Sequence, residues 1–234
     1  MDTPWWKNPL RIIRYDPLND FSNFMLDYAA HAFEVRRICR ANCEWIMANG
    51  GSSPGTASVV NFTSAHFEKN PTVGDRDILR DYLPHARKEN LKIIAYINLH
   101  WFSYAFADEH PGWEQRLADG RSYGAVNPLY GNGTTLCVNT AWRDWAYLLI
   151  REAMATGIDG VFLDGPVVFP GACYCDSCRD LFEKRNDSMT PPVAETWDES
   201  WFRWIDFREW SMERFLADAQ STVREVNPDG IVYL

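Results

Sequence analysis

A chain of 234 residues with 46% hydrophobic and 24% charged residues can enclose one sizeable core. Its formal net charge of -9 argues against nucleic-acid backbones as partners, which are bound through clustered Lys and Arg, and leaves a neutral substrate open. No stretch approaches the roughly 18 uninterrupted apolar residues that a membrane span requires, so a membrane partner is set aside as well.

In chain order, the first strand is expected at Arg11 to Asp16, in LRIIRYDP, and Pro17 stops it. A helix is expected from about Asn23 to Ala41, then a second strand in CEWIMANGG. A loop follows around Gly50, Gly51 and Gly55. A second helix is predicted from about Asp75 to Asn90. It leads into LKIIAYINLHW, whose run Ile93, Ile94, Ala95, Tyr96, Ile97 has the near-continuous apolar character of a strand covered on both faces. The stretch from His100 to Asn139 holds many Gly, Pro and aromatic residues, and a loop that long inside a compact domain is usually functional.

Asn139 or Thr140 can cap the next helix, whose positions Trp142, Trp145, Leu148, Leu149 and Ala153 follow helical spacing. Gly157 closes it, and IDGVFLDGP supplies the fourth strand. A cysteine-rich loop and a short helix precede a long helix from about Trp201 to Val226, with Phe202, Ile205, Phe215, Leu216 and Val223 as its apolar stripe. Pro228 and Gly230 end that helix, and GIVYL begins a fifth strand. The alternation predicts an α/β fold, and no Gly-rich dinucleotide fingerprint follows the first strand. A (β/α)8 TIM-barrel type is preferred over a doubly wound sheet, with the first five strands and four helices present in residues 1–234.

Such barrels carry their chemistry at the C-terminal ends of the strands. The polar residues at those ends are Asp16, Asn49, Asn98 with His100, and Asp164. Asp164 is the strongest candidate, because it emerges directly from Val161, Phe162 and Leu163 and precedes the turn-forming Gly165 and Pro166. A carboxylate there can act as nucleophile, general acid or base, or ligand for sugar hydroxyls. It can also simply accept hydrogen bonds from its own turn. His100 can donate to a sugar hydroxyl and Trp101 can stack on a sugar ring, with a packed, satisfied His as the alternative. Asp108, Glu109 and His110 read as a solvated turn or helix cap.

Cys137 and the run CYCDSC, with Cys173, Cys175 and Cys178, supply four thiols whose spacing can close a tetrahedral zinc cage. Unpaired thiols and disulfides are the alternatives. Disulfides are disfavoured because MDTPWWKNPLR has no apolar leader core, which also gives a cytoplasmic expectation. Cys39 and Cys43, in RRICRANCEW, are assigned to a helix as small packing residues.

The stretches HPGWEQRLADGRSYG, TLCVNTAWRDWA, CYCDSCRDLFEKR and the run from WFRWIDF to GIVYL together resemble glycoside hydrolases of the family-42 β-galactosidase type and their hypothetical glycosyl hydrolase relatives. The resemblance covers roughly Leu91 to Leu234 well. It implies that cysteines in the positions of Cys137, Cys173, Cys175 and Cys178 bind structural zinc, and that the substrate is an oligosaccharide or other glycoside. Those β-galactosidases carry an Asn-Glu pair at the end of the fourth strand, where this chain has Leu163, Asp164 and Gly165. That arrangement is more similar to the nucleophilic Asp of α-L-fucosidases and amylase-like barrels.

The family barrel has three further strand and helix units, so a fragment, a homo-oligomer or a second chain completing the barrel all stay open. Two functions are carried forward. One is a glycoside hydrolase, or its N-terminal part, in which Asp164 acts and Asp16, Asn98, His100 and Trp101 contact sugar. The other is a carbohydrate-binding or assembly module without hydrolysis. Catalytic zinc is disfavoured because four thiolates leave no open position for water.

Overall fold

The computed structural model describes residues 4–13, 34, 36–50 and 54–234. Asp16, Gly51 and most of the first expected helix lie outside those residues. Five strands, β1 (Ile12–Ile13), β2 (Cys43–Met47), β3 (Lys92–Asn98), β4 (Gly160–Asp164) and β5 (Ile231–Tyr233), form one sheet in the spatial order β1-β2-β3-β4-β5. Every neighbouring pair is parallel. A doubly wound sheet reverses its strand order at a switch point, whereas sequential parallel order is that of a (β/α)8 barrel. The fold is therefore of the expected α/β barrel type, through its first five strands.

The connections hold six described α-helices. Helix α1 (Ile78–Lys88) joins β2 to β3; α2 (Tyr104–Glu109), α3 (Tyr123–Val126) and α4 (Trp142–Met154) lie between β3 and β4; α5 (Asp176–Arg185) and α6 (Glu199–Val226) lie between β4 and β5. The chain divides into two compact units. The first comprises Met1–Asn98, Leu148–Asp164 and Ala219–Leu234, and the second Leu99–Tyr147 and Gly165–Asp218.

The first unit contains the sheet. Ile93, Ile94, Ala95 and Ile97 of β3 and Val161 and Leu163 of β4 are buried, as the continuous apolar runs require. Helix α1 starts at Asp77, whose Oδ1 accepts from the Arg80 amide at 2.9 Å, and it buries Ile78, Leu79, Tyr82, Leu83 and Ala86. The Tyr82 hydroxyl donates to the buried Glu44 at 2.7 Å, and the buried Arg36 guanidinium donates to the same carboxylate. Just before β4, Asp159 accepts from Arg87 at 2.6 Å, from Lys92 at 2.9 Å and from the Ile93 amide at 2.9 Å, which fixes the start of β4 against β3.

The second unit has its own core. Trp201, Trp204 and Phe207 of α6 pack with Phe182 of α5, Tyr174 and four cysteines. Trp142 stacks on Phe215 at 5.8 Å with a 4° interplanar angle.

Two sequence expectations are corrected here. Cys43 opens β2 rather than lying on a helix, and Cys39, at the end of the preceding helical turn, is exposed rather than packed. The helix ends earlier than expected because Arg40 adopts a left-handed φ of 51° while the Ala41 amide bonds Arg36 O at 2.9 Å, a Schellman-like stop without glycine. Cys43 is fully buried, and burial pushes its thiol up to about 12, so it packs as expected but remains a protonated, inert group. On α6, Phe202 is 52% exposed. The buried stripe instead follows Trp201, Trp204, Phe207, Ser211, Phe215, Ala219 and Val223.

Candidate functional sites

In the first unit, β3 and β4 end side by side, with Asn98 the register partner of Asp164. Alternate residues of a strand share a face, so Asp164 projects with Phe162 two positions earlier. Tyr96 pairs in register with Phe162, and its ring lies 4.9 Å from Trp45, nearly parallel, and 5.6 Å from Phe162. Phe162 continues the row to Tyr233 at 5.4 Å. Trp45, Tyr96 and Phe162 are partly buried, Tyr233 is exposed, and Asp164 is half-buried beside them. The Tyr96 hydroxyl donates to Asp164 Oδ2.

That hydroxyl fixes the orientation of the carboxylate. Tyr96 was not singled out from the sequence. Its position two residues before Asn98 places it, by a period of two, on the same face of the strand as that candidate.

Asn98 is 2% exposed. Its amide donates to Asn49 Oδ1 at 2.9 Å, and Asn49 Nδ2 donates to Ala57 O at 2.7 Å. Asn49 therefore acts as a brace between strand end and loop.

In the second unit, His100 and Trp101 surround Tyr130. His100 Nε2 lies 3.2 Å from the Tyr130 hydroxyl, and the Trp101 ring meets the Tyr130 ring edge-on at 5.0 Å. Gly165 has a left-handed φ of 83°, and a Cβ there would lie 2.9 Å from His100 Cβ, so glycine is required at that turn. Asp108 and Glu109 are exposed at the end of α2, and His110 stacks on Trp113 at 4.0 Å, in keeping with a solvated turn.

The four cysteines of the second unit converge. Their sulfurs all lie within 4.8 Å of one another, and all four residues are buried. Cys137 Sγ is 3.4 Å from Cys178 Sγ and 3.7 Å from Cys175 Sγ. A tetrahedral zinc with Zn–S bonds of about 2.3 Å sets its sulfurs about 3.8 Å apart, so this cluster has the dimensions of such a cage. Hydrogen bonds from Cys137, Cys173 and Cys178 pull the Cys175 thiol well below its ordinary value. Contacts with Cys173 and Cys175 push Cys137 up, and Cys178, lowered by Cys137 but raised by Cys173 and Cys175, ends high as well. One thiolate is favoured, and a cation is what would let the others ionise.

Asn139 belongs to this cluster rather than to a helix cap. Its amide reaches Cys137 Sγ at 3.4 Å, and its Nδ2 reaches Cys178 Sγ at 3.3 Å and Ser211 Oγ at 2.9 Å. Arg214 Nη2 holds its Oδ1 at 3.2 Å. Thr140 takes the capping role, its Oγ1 accepting from the Trp142 amide at 3.3 Å. The donor pattern is what thiolate ligands require for charge dispersal and orientation.

Comparison with known proteins adds a family and a set of folds. No curated protein matches the chain. Among solved structures, the PgaB (BpsB) glycoside hydrolase domain from Bordetella bronchiseptica superimposes with a TM-score of 0.72 at 14% identity, over 96% of this chain and 64% of that one. Alpha-L-fucosidase isoenzyme 2 from Paenibacillus thiaminolyticus gives 0.66 at 20% identity, over 95% of this chain and 32% of that one. Beta-galactosidase from Bacillus circulans sp. alkalophilus gives 0.62 at 13% identity, over 95% and 35%. This chain thus spans from about a third to under two thirds of the length of these three structures. The profile of hypothetical glycosyl hydrolase 6 matches residues 33–165, more than half of the sequence, from before β2 through β4 and Asp164. The chain belongs to the hypothetical glycosyl hydrolase 6 family.

Proposed function

We propose that residues 1–234 form the N-terminal part of a glycoside hydrolase barrel in which Asp164 is the catalytic carboxylate. The observation that carries this reading is a half-buried Asp at the C-terminal end of β4, held by a tyrosine hydroxyl in a sequential parallel sheet. As nucleophile, Asp164 attacks the anomeric carbon, the glycosidic C–O bond breaks, and the leaving oxygen takes a proton from a second carboxyl group. In that role the two carboxyls sit about 5–5.5 Å apart, water then releases the sugar from Asp164 and configuration is retained; with Asp164 instead as the base that activates water they sit about 6.5–9.5 Å apart and configuration inverts.

Asn98, in register beside Asp164 but 2% exposed, is retained as a sugar ligand that substrate would reach only at the rim of the strand end. His100 and Trp101, with the exposed Tyr130, are a sugar-contacting cluster of the second unit, and Asp16 is retained as a further sugar ligand. The substrate is an oligosaccharide or glycoside. Asp164→Asn in the full-length protein is expected to lower glycoside turnover by about a hundred- to ten-thousand-fold with the fold intact. Unchanged turnover overturns the assignment.

For the thiolate cluster we propose structural zinc bound by Cys137, Cys173, Cys175 and Cys178. Four thiolates fill a tetrahedron, so the ion would stabilise the fold and leave no open position for water. A cytoplasmic setting, which keeps thiols reduced, suits such a cage. Among the described strand ends, Asp164 is the one carboxylate, and this favours a second reading as a carbohydrate-binding or assembly module. Calorimetric binding of an oligosaccharide with no release of reducing ends by the full-length protein selects that module over the hydrolase.

A further inference from the structure

A cavity of about 680 Å³ in the second unit lies outside both sites above, and its volume is in the range of small-molecule pockets. Its walls include Tyr174, Trp201 and Ile205, and its rim carries Val193, Trp197 and Phe202. Those three rim residues are 71%, 69% and 52% exposed, an unusual concentration of large apolar side chains in water.

Local structure explains why the rings are there but not why they are open. Asp198 Oδ1 accepts from the Trp201 amide at 3.1 Å and so caps α6. Trp197 precedes that cap and meets Phe202 edge-on at 6.3 Å and 70°, the position of a hydrophobic staple. A staple needs only contact, yet here both rings keep a face to solvent. Trp197 also holds a left-handed φ of 53°, costly for a bulky residue and found where a side chain must be aimed.

Two polar groups complete the cavity. Arg208 spends one nitrogen on Val168 O at 3.3 Å and Phe169 O at 3.1 Å, and among the described residues its remaining N–H donors have no partner. Glu195, on the same wall, likewise has no hydrogen-bond partner among the described residues. An open aromatic face with an unengaged donor and an unengaged acceptor matches the surface of a pyranose, whose C–H faces are apolar and whose hydroxyls both give and accept hydrogen bonds. The net charge of -9 disfavours an acidic glycan.

We propose that this cavity binds one or two units of a neutral oligosaccharide, stacked on Trp197 and Phe202 and hydrogen-bonded to Arg208 and Glu195. The choice of a sugar rests on the glycoside reading of the chain. Isothermal titration of the protein with cellopentaose, mannopentaose, laminaripentaose and chitopentaose tests it. At least one is expected to bind, Trp197→Ala and Glu195→Gln are each expected to weaken that binding about tenfold, and Ile38→Ala is expected to leave it unchanged. Phe202→Ala, at an exposed helical position, gives a second aromatic test with little risk to folding. Equal binding by the wild type and by the Trp197, Phe202 and Glu195 variants overturns the cavity while leaving the hydrolase reading intact. No binding of any of the four sugars also overturns it, and glycoside turnover by wild type against Asp164→Asn then decides the hydrolase reading separately.

Discussion

Chelation is the most direct test of whether a metal at the four-cysteine cluster holds the second unit together. The sulfur separations of 3.4 and 3.7 Å lie close to the edge of about 3.8 Å expected for a zinc tetrahedron, so the protein presents a nearly formed cage. Structural zinc in small domains contributes about 10–16 kcal/mol of apparent binding energy, comparable with the 5–15 kcal/mol net stability of an ordinary domain. Losing even about 4 kcal/mol lowers a midpoint by roughly 8–16 °C, at about 2–4 °C per kcal/mol for a chain of this size. Trp201 and Trp204 share a core with the thiols, so near-ultraviolet circular dichroism reports the loss. Elemental analysis of protein purified without chelator should give about one zinc per chain. Chelation or Cys178→Ser should lower the midpoint by at least that margin, whereas Cys43→Ser should leave the zinc content unchanged. Metal-free protein whose unfolding is indifferent to chelator refutes the reasoning.

Three further outcomes follow from single residues. Tyr96→Phe removes the hydroxyl that donates to Asp164, and a hydrogen bond to a charged group, worth about 1.5–3 kcal/mol, corresponds to a fall in glycoside turnover of roughly ten- to a hundred-fold; unaltered kinetics contradict a positioning role. Gly160→Ala places a Cβ 2.6 Å from Ile231 O, its register partner in β5, and should cost about 1–3 kcal/mol in denaturant unfolding; a neutral effect would mean that β4 and β5 do not pair this way. Burial raises the Asp77 carboxyl, but hydrogen bonds from the Arg80 and Thr63 amides outweigh it and hold the carboxyl below its ordinary value. A depressed carboxyl stabilises the fold above its unfolded value of about 3.9 and loses that contribution as pH falls through the folded value. Asp77→Ala should therefore cost about 1 kcal/mol at neutral pH, and the gap to the wild type should narrow as pH falls from about 3.9 through the folded value.

The legible parts of the fold were those written in local pattern. β3 and β4 show as apolar runs, and α1 and α4 show as helical spacing with caps within a few residues. Asp164 stood out because one carboxylate follows three apolar residues and precedes glycine. The helix before β2 was overextended because its stop is a left-handed Arg40, a conformation that sequence signals assign to Gly or Asn. Phe202 fell within the apolar spacing of α6, but the core is set by Trp201, Trp204 and Phe207, which turn their neighbour outward. The four cysteines were visible by spacing. The donors around Cys137 and Cys178 were not, because Asn139 reaches Ser211, 72 residues away in the chain, and Arg214 reaches back to it.

Sequential strand order also has a bearing on biosynthesis. In the order β1-β2-β3-β4-β5 each strand adds beside one already made, so the sheet can assemble from its N-terminal edge as the polypeptide leaves the ribosome. β3 ends at Asn98, whereas the last thiol is Cys178, so at about 5–20 residues per second the complete ligand set emerges roughly 4–16 s after that strand. On the zinc reading, ion capture is thus a late event on the nascent chain, arriving once four strands already exist to receive the fifth.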